Sequence, residues 1–336
     1  MIRKKMLRKF VGHSNRNKLI YNFGDIVIND KEELKNHRFV FSGEFGYEII
    51  SWLPYLNFLS KDLGIKIRTA SRKGSKVFYE KISFDHLELD DKFLGDMWGE
   101  LNKVERLMLF HKNIITPINE NINRKICIVG IDWNNRNIHD KIILESYSPL
   151  KFSKDTLLSY PDLKCLFQKE LKNSRIAIIN NKNYYNWGNL TVRNFYTREE
   201  LIIIRDYLLS QNFYIIYNNI KTIQESANDY EELYDYDIFK CEGCFDLNQM
   251  PELCSNIDLR NRLQIYLFYK ADLCIGTQGG NAYLPATCRN PQFILMRKGN
   301  YLDYTELGKI YGVPVSCFYE VDQLILLLKD FISRNR

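Results

Sequence analysis

The chain has 336 residues, 45% hydrophobic and 26% charged, the balance of an ordinary globular protein rather than a disordered one. Two domains with separate cores are expected at this length, with one large domain as the alternative, because single cores usually stop growing near about 250 to 300 residues. The net charge of +6 is concentrated at one end: residues 1–20 hold seven Lys and Arg and no acid, and removing those seven from 47 leaves 40 basic residues against 41 acidic ones. So neutral a body excludes a basic nucleic-acid groove spread over the fold.

Along the chain, the head MIRKKMLRKF comes first. It sets Ile2, Met6, Leu7 and Phe10 at helical spacing among Arg3, Lys4, Lys5, Arg8 and Lys9. That pattern suits an anionic membrane surface, met through residues 1–12, with a frayed basic terminus as the alternative. No stretch reaches the roughly 18 uninterrupted apolar residues of a spanning helix, and the head lacks the apolar core of a signal peptide. The chain therefore reads as cytoplasmic, peripheral at the inner face of the membrane if the head binds there.

HRFVFSG then predicts a strand whose carboxyl end is Gly43-Glu44-Phe45-Gly46-Tyr47-Glu48, followed by the helix-like EIISWLPYLNFLSKDL. In open α/β sheets ligands sit beyond the carboxyl ends of strands. Gly43 and Gly46, with Tyr47, leave room for a substrate against the main chain. Glu44 or Glu48 can then serve as a general base; the alternative makes Glu48 a helix cap and Glu44 a surface acid. Pro54 starts or kinks the helix, since it has no N–H to donate. IKIRTAS and KICIVGID read as further strands, and the second delivers Asp132, with Arg136, His139 and Asp140 close behind. Asp132 is a further catalytic candidate. A local His–Asp hydrogen bond is the plainer reading of the others.

The alternation restarts after a poorly patterned stretch near residues 153–173. SRIAIINN predicts a strand followed by a loop of about 16 residues, longer than the usual two to six, and long loops are often binding loops. That loop carries Lys182 and Arg193, candidate partners for a diphosphate or else solvated charges. It ends at Thr197, an N-cap with Glu200 three residues on, the spacing of a capping box. TREELIIIRDYLLSQN, NFYIIYNN, RNRLQIYLFYKA and DLCIGTQGG continue as helix, strand, helix and strand, and PQFILMRKG, VPVSCFYE and VDQLILLLKDFISR complete the pattern. At the end of DLCIGTQGG, Gly276, Gly279 and Gly280 let backbone N–H groups approach an anion, and Thr277, Gln278 and Asn281 add side-chain donors and acceptors. A diphosphate or a ribose is the natural occupant; tight strand-to-helix packing is the alternative use of such glycines.

The eight cysteines are scattered, several in strand-like runs, as expected of buried thiols in a reducing compartment. Only Cys241-Glu-Gly-Cys244 has ligand-like spacing. A zinc site needs about four ligands, and beyond Cys254 nothing nearby completes one, so no metal and no cofactor is expected. No Gly-x-Ser-x-Gly elbow, Walker loop or His-Glu-x-x-His is present. Strand and helix units repeated in two halves predict an α/β protein of two Rossmann-like domains facing a cleft. The expected layout is a basic segment 1–20, a first Rossmann-like domain 21–152, an interdomain segment 153–173 and a second Rossmann-like domain 174–336.

The second half resembles the donor-binding domain of the metal-independent GT-B glycosyltransferases of surface-polysaccharide synthesis, such as the heptosyltransferases. The resemblance covers roughly residues 174–300. It rests on Ala271-Asp272, the apolar Leu273 to Ile275, the turn Gly276-Thr277-Gln278-Gly279-Gly280 and then Pro291-Gln292-Phe293-Ile294-Leu295. The Gly43 to Glu48 element also resembles a segment of uncharacterised sugar transferases. The turn lacks the Ser-Gly-x-x-His run of heptosyltransferases, which speaks against a heptose donor. The spaced Glu pair of many retaining GT-B enzymes is also missing, which favours inversion. The resemblance implies a nucleotide-sugar donor, a glycan or glycolipid acceptor and no metal. A nucleotide-sugar epimerase, a pyruvyl transferase or a non-catalytic glycan- or nucleotide-binding protein are the alternatives.

Overall fold

The computed structural model describes residues 21–23, 26–28, 35, 37–41, 45–89, 127–128, 175–182, 194–219, 235–297 and 302–335. The basic head, Gly43, Glu44, Asp132 and Arg193 lie outside these residues. The chain divides into two compact units, Met1–Ser148 and Pro149–Arg336. No helix among the described residues is long and apolar enough to cross a membrane.

In the first unit, β1 (Tyr21–Phe23) and β2 (Ile26–Ile28) pair antiparallel. A separate parallel sheet has the order β5-β4-β3-β6, formed by β3 (Arg38–Val40), β4 (Ile67–Arg72), β5 (Ser83–Leu89) and β6 (Cys127–Ile128). Arg38 ties three of these strands together: it donates to the Thr69 carbonyl at 2.9 Å and pairs with Asp85 at 2.6 Å. After β3 come a helical turn Phe45–Tyr47, a π-helical turn Glu48–Trp52 and α1 (Leu53–Leu63). Pro54 falls in the first turn of α1, where its missing N–H costs nothing. Gly64 ends α1 at φ 65°, the left-handed conformation that suits glycine there. Phe39, Trp52, Leu56 and Ile67 are fully buried, with Phe41 stacked on Trp52 at 5.8 Å. A short α2 (Lys76–Tyr79) links β4 to β5.

The second unit is built on six strands: β7 (Arg175–Asn180), β8 (Phe213–Asn218), β9 (Cys244–Asp246), β10 (Leu273–Thr277), β11 (Gln292–Leu295) and β12 (Val315–Phe318). All neighbours are parallel, in the order β12-β11-β10-β7-β8-β9. Counted from the first strand this is 3-2-1-4-5-6, the doubly wound Rossmann order. The continuous buried run from Ile176 to Asn180 is what a central parallel strand covered on both faces requires. The connecting helices are α3 (Arg198–Ser210), α4 (Ile257–Lys270), α5 (Leu284–Thr287), α6 (Leu302–Tyr311) and α7 (Val321–Arg334). Leu201, Ile204 and Leu208 of α3 and Leu324, Leu328 and Ile332 of α7 recur at helical spacing and pack with Ile179, Ile215 and Ile275 in one core.

Two strands have no apolar run to betray them. β5 reads Ser-Phe-Asp-His-Leu-Glu-Leu and lies at an end of its sheet, where polar residues are tolerated; β9 is three residues long, also at an end. The antiparallel pair β1 and β2 and the helices α2 and α6 are not predicted either; the other described strands and long helices follow the predicted alternation.

The capping box at α3 is complete: the Thr197 hydroxyl accepts from the Glu200 N–H, and Glu200 accepts from the Thr197 N–H at 2.9 Å. Thr197→Ala should therefore lower stability by about 1 kcal/mol, read as a lower urea midpoint with unchanged slope, while Thr197→Ser should stay close to the parent.

Candidate functional site

In the second unit the connections from β7 lead to β8 on one side, while β10 lies on the other. The carboxyl ends of β7 and β10 are therefore the switch point at which such sheets bind ligands. β7 ends at Asn180 and runs straight into Asn181 and Lys182, all buried. Lys182 Nζ donates to the carbonyl of Gln278 at 2.5 Å, crossing from the end of β7 to the turn after β10. The predicted diphosphate candidate Lys182 and the predicted glycine turn thus meet.

The turn is held on every side. Gln278 N–H donates to the Leu295 carbonyl at 3.0 Å, and Gly279 N–H donates to the Tyr304 hydroxyl at 3.1 Å. Asn194 Nδ2 donates to Gln278 Oε1 at 2.9 Å, and its Oδ1 accepts from Arg297 N–H at 2.7 Å. The Tyr196 hydroxyl donates to the Gly276 carbonyl at 2.9 Å. Asn181 in turn clamps the Tyr196 backbone, accepting from its N–H at 3.0 Å and donating to its carbonyl at 3.2 Å. Arg297 pairs with Glu200, the same acid that caps α3.

Gly279 sits at φ 140°, where a side chain is strained, and a Cβ there would stand 3.6 Å from Lys182 Nζ. The backbone of the turn and the ammonium are thus side by side. Gly276 to Gln278 are buried, Gly279 and Gly280 half-buried, and Asn281 exposed. Gly280–Ala282 forms a 3-10 turn leading to α5. Positive charge beside a half-buried glycine turn is an arrangement that attracts an anion.

Sequence reasoning missed an asparagine group next to this turn. Asn180 and Asn218 end adjacent strands in register. Asn218 Nδ2 donates to Asn180 Oδ1 at 2.7 Å, and Asn180 Nδ2 donates to Cys274 Sγ at 3.4 Å. Asn218 Oδ1 is buried with no hydrogen-bond partner among the described residues. Asn219 donates to Asp235 at 2.8 Å, and Asp235 also accepts from the Tyr217 hydroxyl. The signal was available: the same Asn-Asn pair follows both IAII and YIIY.

In the first unit Gly46 is buried inside the helical turn after β3, and Tyr47 closes that turn. Glu48 is fully buried. Its carboxylate accepts from the Tyr79 hydroxyl at 2.6 Å and from the Ser71 hydroxyl, and lies 3.3 Å from Arg72 Nε. Ser71 and Arg72 are the last residues of β4, and Arg72 also stands over the Phe45 ring at 5.9 Å. Burial outweighs these partners and holds the Glu48 carboxyl above its ordinary range. Close by, His86 stacks on Tyr79 at 4.4 Å and is driven down to about 4 by burial, so it is neutral at physiological pH. Among the described residues no group of three or more His, Cys, Asp or Glu is placed to hold a metal ion.

No protein-family model matches the chain. No curated protein matches it by sequence. Solved structures that superpose on it include two glycosyltransferases. A glycosyl transferase of family 9 from Veillonella parvula superposes with a TM-score of 0.53 at 11% identity, over 88% of this chain and 89% of that one. The ADP-heptose lps heptosyltransferase II of E. coli superposes with a TM-score of 0.51 at 10% identity, over 89% of this chain and 98% of that one. The chain therefore has the α/β fold of the GT-B glycosyltransferases, with parallel sheets in both units.

The buried Glu48 makes a pH-dependent prediction. The folded chain holds that proton more tightly than the unfolded one, so its stabilisation is full below pH 4.5 and is lost as pH rises through the raised folded value. Glu48→Gln should therefore gain stability relative to the parent as pH rises above 4.5, seen in urea midpoints measured from acid to neutral pH. A parallel pair of curves would contradict it.

Proposed function

We propose that the chain is a glycosyltransferase that moves a sugar from a nucleotide-activated donor to a hydroxyl of a glycan or lipid-linked acceptor. The observation that carries this reading is the contact of Lys182 with Gln278 at the switch point of a sheet in Rossmann order. The fold supports it, since the two superposing structures described above are named as glycosyltransferases, and one is named for an ADP-activated sugar. A nucleoside diphosphate-sugar is the donor class that fits. Its sugar is left to experiment, because the Ser-Gly-x-x-His run of heptosyltransferases is missing from the turn.

In this reading Lys182, Arg193, Thr277, Gln278 and Asn281, with the backbone of Gly276, Gly279 and Gly280, receive the diphosphate. Fixed positive charge and the side-chain donors there stabilise the departing nucleoside diphosphate without a metal. Glu44, with Gly43, Gly46 and Tyr47 on the acceptor side, takes the proton from the acceptor hydroxyl. The hydroxyl oxygen then attacks the anomeric carbon, and the bond from that carbon to the diphosphate breaks. A single displacement of this kind inverts the anomeric centre. Asp132, which follows β6 in the chain, is the second candidate base. The enclosed Glu48 carboxylate suits a different role, since a base must reach the proton it removes. It positions Arg72.

The test is a thermal-shift screen against UDP, GDP, ADP, CMP and dTDP, followed by incubation with the matching nucleotide sugars and analysis of the products. One nucleotide should raise the melting temperature of the parent. Lys182→Met should weaken its binding by about tenfold or more, as loss of a charged hydrogen bond does, and Gly279→Ala should do so through backbone strain. Equal shifts in parent and variants would remove the turn as the donor site. Conversion of the nucleotide sugar without an acceptor would replace transfer with epimerisation.

A further inference from the structure

We propose that Cys241 and Cys244 form a redox-active dithiol, which closes to a disulfide by exchange with a small organic disulfide such as oxidised glutathione.

The first support is backbone geometry. Residues 241–244 make a tight turn in which Cys244 N–H donates to the Cys241 carbonyl at 3.1 Å. Gly243 takes φ 79°, the left-handed conformation that lets the chain reverse there. A four-residue turn of this kind brings its end Cα atoms within about 7 Å, and disulfides span roughly 4.4 to 6.8 Å between Cα atoms. The turn is also pinned. Gly243 accepts from Ile215 N–H at 2.8 Å and packs so tightly on α3 that a Cβ would stand 2.8 Å from Leu209 Cδ2. Cys244 then enters β9 opposite Ile215. Both sulfurs are therefore carried by a frame that already holds them on one side of a reversal.

The second support is the division of roles. Cys241 is exposed and Cys244 half-buried. Among the other cysteines with a described environment, Cys274 and Cys288 are buried and Cys317 half-buried. Cys241 is thus the sulfur among them that an external disulfide can reach. Burial first, and then the neighbouring Cys241 thiol, push the Cys244 thiol well up, so it stays protonated until its neighbour has reacted. Two sulfurs do not make a zinc site, and no third ligand joins them among the described residues.

The exchange balances without another reagent. The Cys241 thiolate attacks one sulfur of oxidised glutathione, forming a mixed disulfide and releasing one glutathione thiolate. Cys244 gives up its proton to solvent and attacks the Cys241 sulfur, closing the intramolecular bond and expelling the second glutathione thiolate. The protein loses two protons and two electrons, and the organic disulfide is reduced to two thiols. Because β9 runs parallel to β7 and β8 and begins at Cys244, the pair lies at the amino end of the sheet, away from the Lys182 edge. It is a staple on the fold, separate from the candidate site.

The experiment treats the full chain with oxidised glutathione, blocks free thiols with iodoacetamide, and maps peptides by mass spectrometry. The peptide spanning residues 241–244 should lose two hydrogens, escape alkylation, and recover both thiols after dithiothreitol. Cys244→Ser should stop at one glutathione bound to Cys241, and Cys241→Ser should leave Cys244 reduced, with circular dichroism confirming that both variants fold. A lasting glutathione adduct on Cys241 of the parent, or alkylation of both thiols after treatment, would overturn the proposal.

Discussion

An ammonium group taken out of water must be solvated by the protein that encloses it, and at Lys182 this requirement organises the carboxyl edge of the second unit. One of its N–H groups donates to the Gln278 carbonyl, at the point where the chain leaves β10. With that carbonyl turned toward Lys182, the next residue takes φ 140°, which is why a glycine stands there. The Gln278 side chain is then held by Asn194, Asn194 by the Arg297 backbone, and the Arg297 guanidinium by Glu200. Glu200 also closes the N-terminus of α3. One buried charge is thereby connected to three strand ends and a helix start through hydrogen bonds with no slack residue between them.

The two units meet the burial of charge in opposite ways. At Lys182 a cation is kept at a strand end, where it donates to the Gln278 carbonyl. At Glu48 an anion is enclosed, and burial raises its pKa despite two hydroxyl donors and Arg72. Arg72, half-exposed beside the Phe45 ring, is the outward member of that second group. A π-helical turn carries Glu48 inward, and such turns are often found at functional sites.

The architecture was legible because both its periods were strong. Continuous apolar strands such as IAII and helices with apolar residues at three- and four-residue spacing can fold only as covered parallel layers. Lys182 and the Gly276 to Gly280 turn were legible for a related reason, since the sheet rule points to strand ends without any knowledge of contacts. The strands β5 and β9 were not, because end strands need no apolar run. Asn194, Arg297 and Tyr304 were not legible either. Each matters through a partner 25 to 103 positions away, and no local pattern encodes such a distance. Glu48 was visible as an acid near a strand end, but its direction depends on the π-helical register, which spacing alone does not give.

Several costs meet at the carboxyl ends of β7, β8 and β10, and others lie elsewhere in the second unit, at the buried Asp258 Oδ1 and Asn290 Oδ1 and at the left-handed Asn212 and Arg289. The helices and strands of its core obey ordinary rules, with apolar side chains on the covered faces. At the β7, β8 and β10 ends one finds a buried lysine, a glycine at φ 140° and a buried Asn218 Oδ1 with no hydrogen-bond partner among the described residues. An unsatisfied buried polar atom costs about 1 to 3 kcal/mol, and a strained backbone position a similar amount. An apolar replacement for Lys182 or Asn218 would fill the same space without those penalties. A fold that needed only stability would shed them; a fold that must meet a polar, anionic ligand at its sheet edge has a reason to keep them, because the ligand supplies the missing partners when it binds.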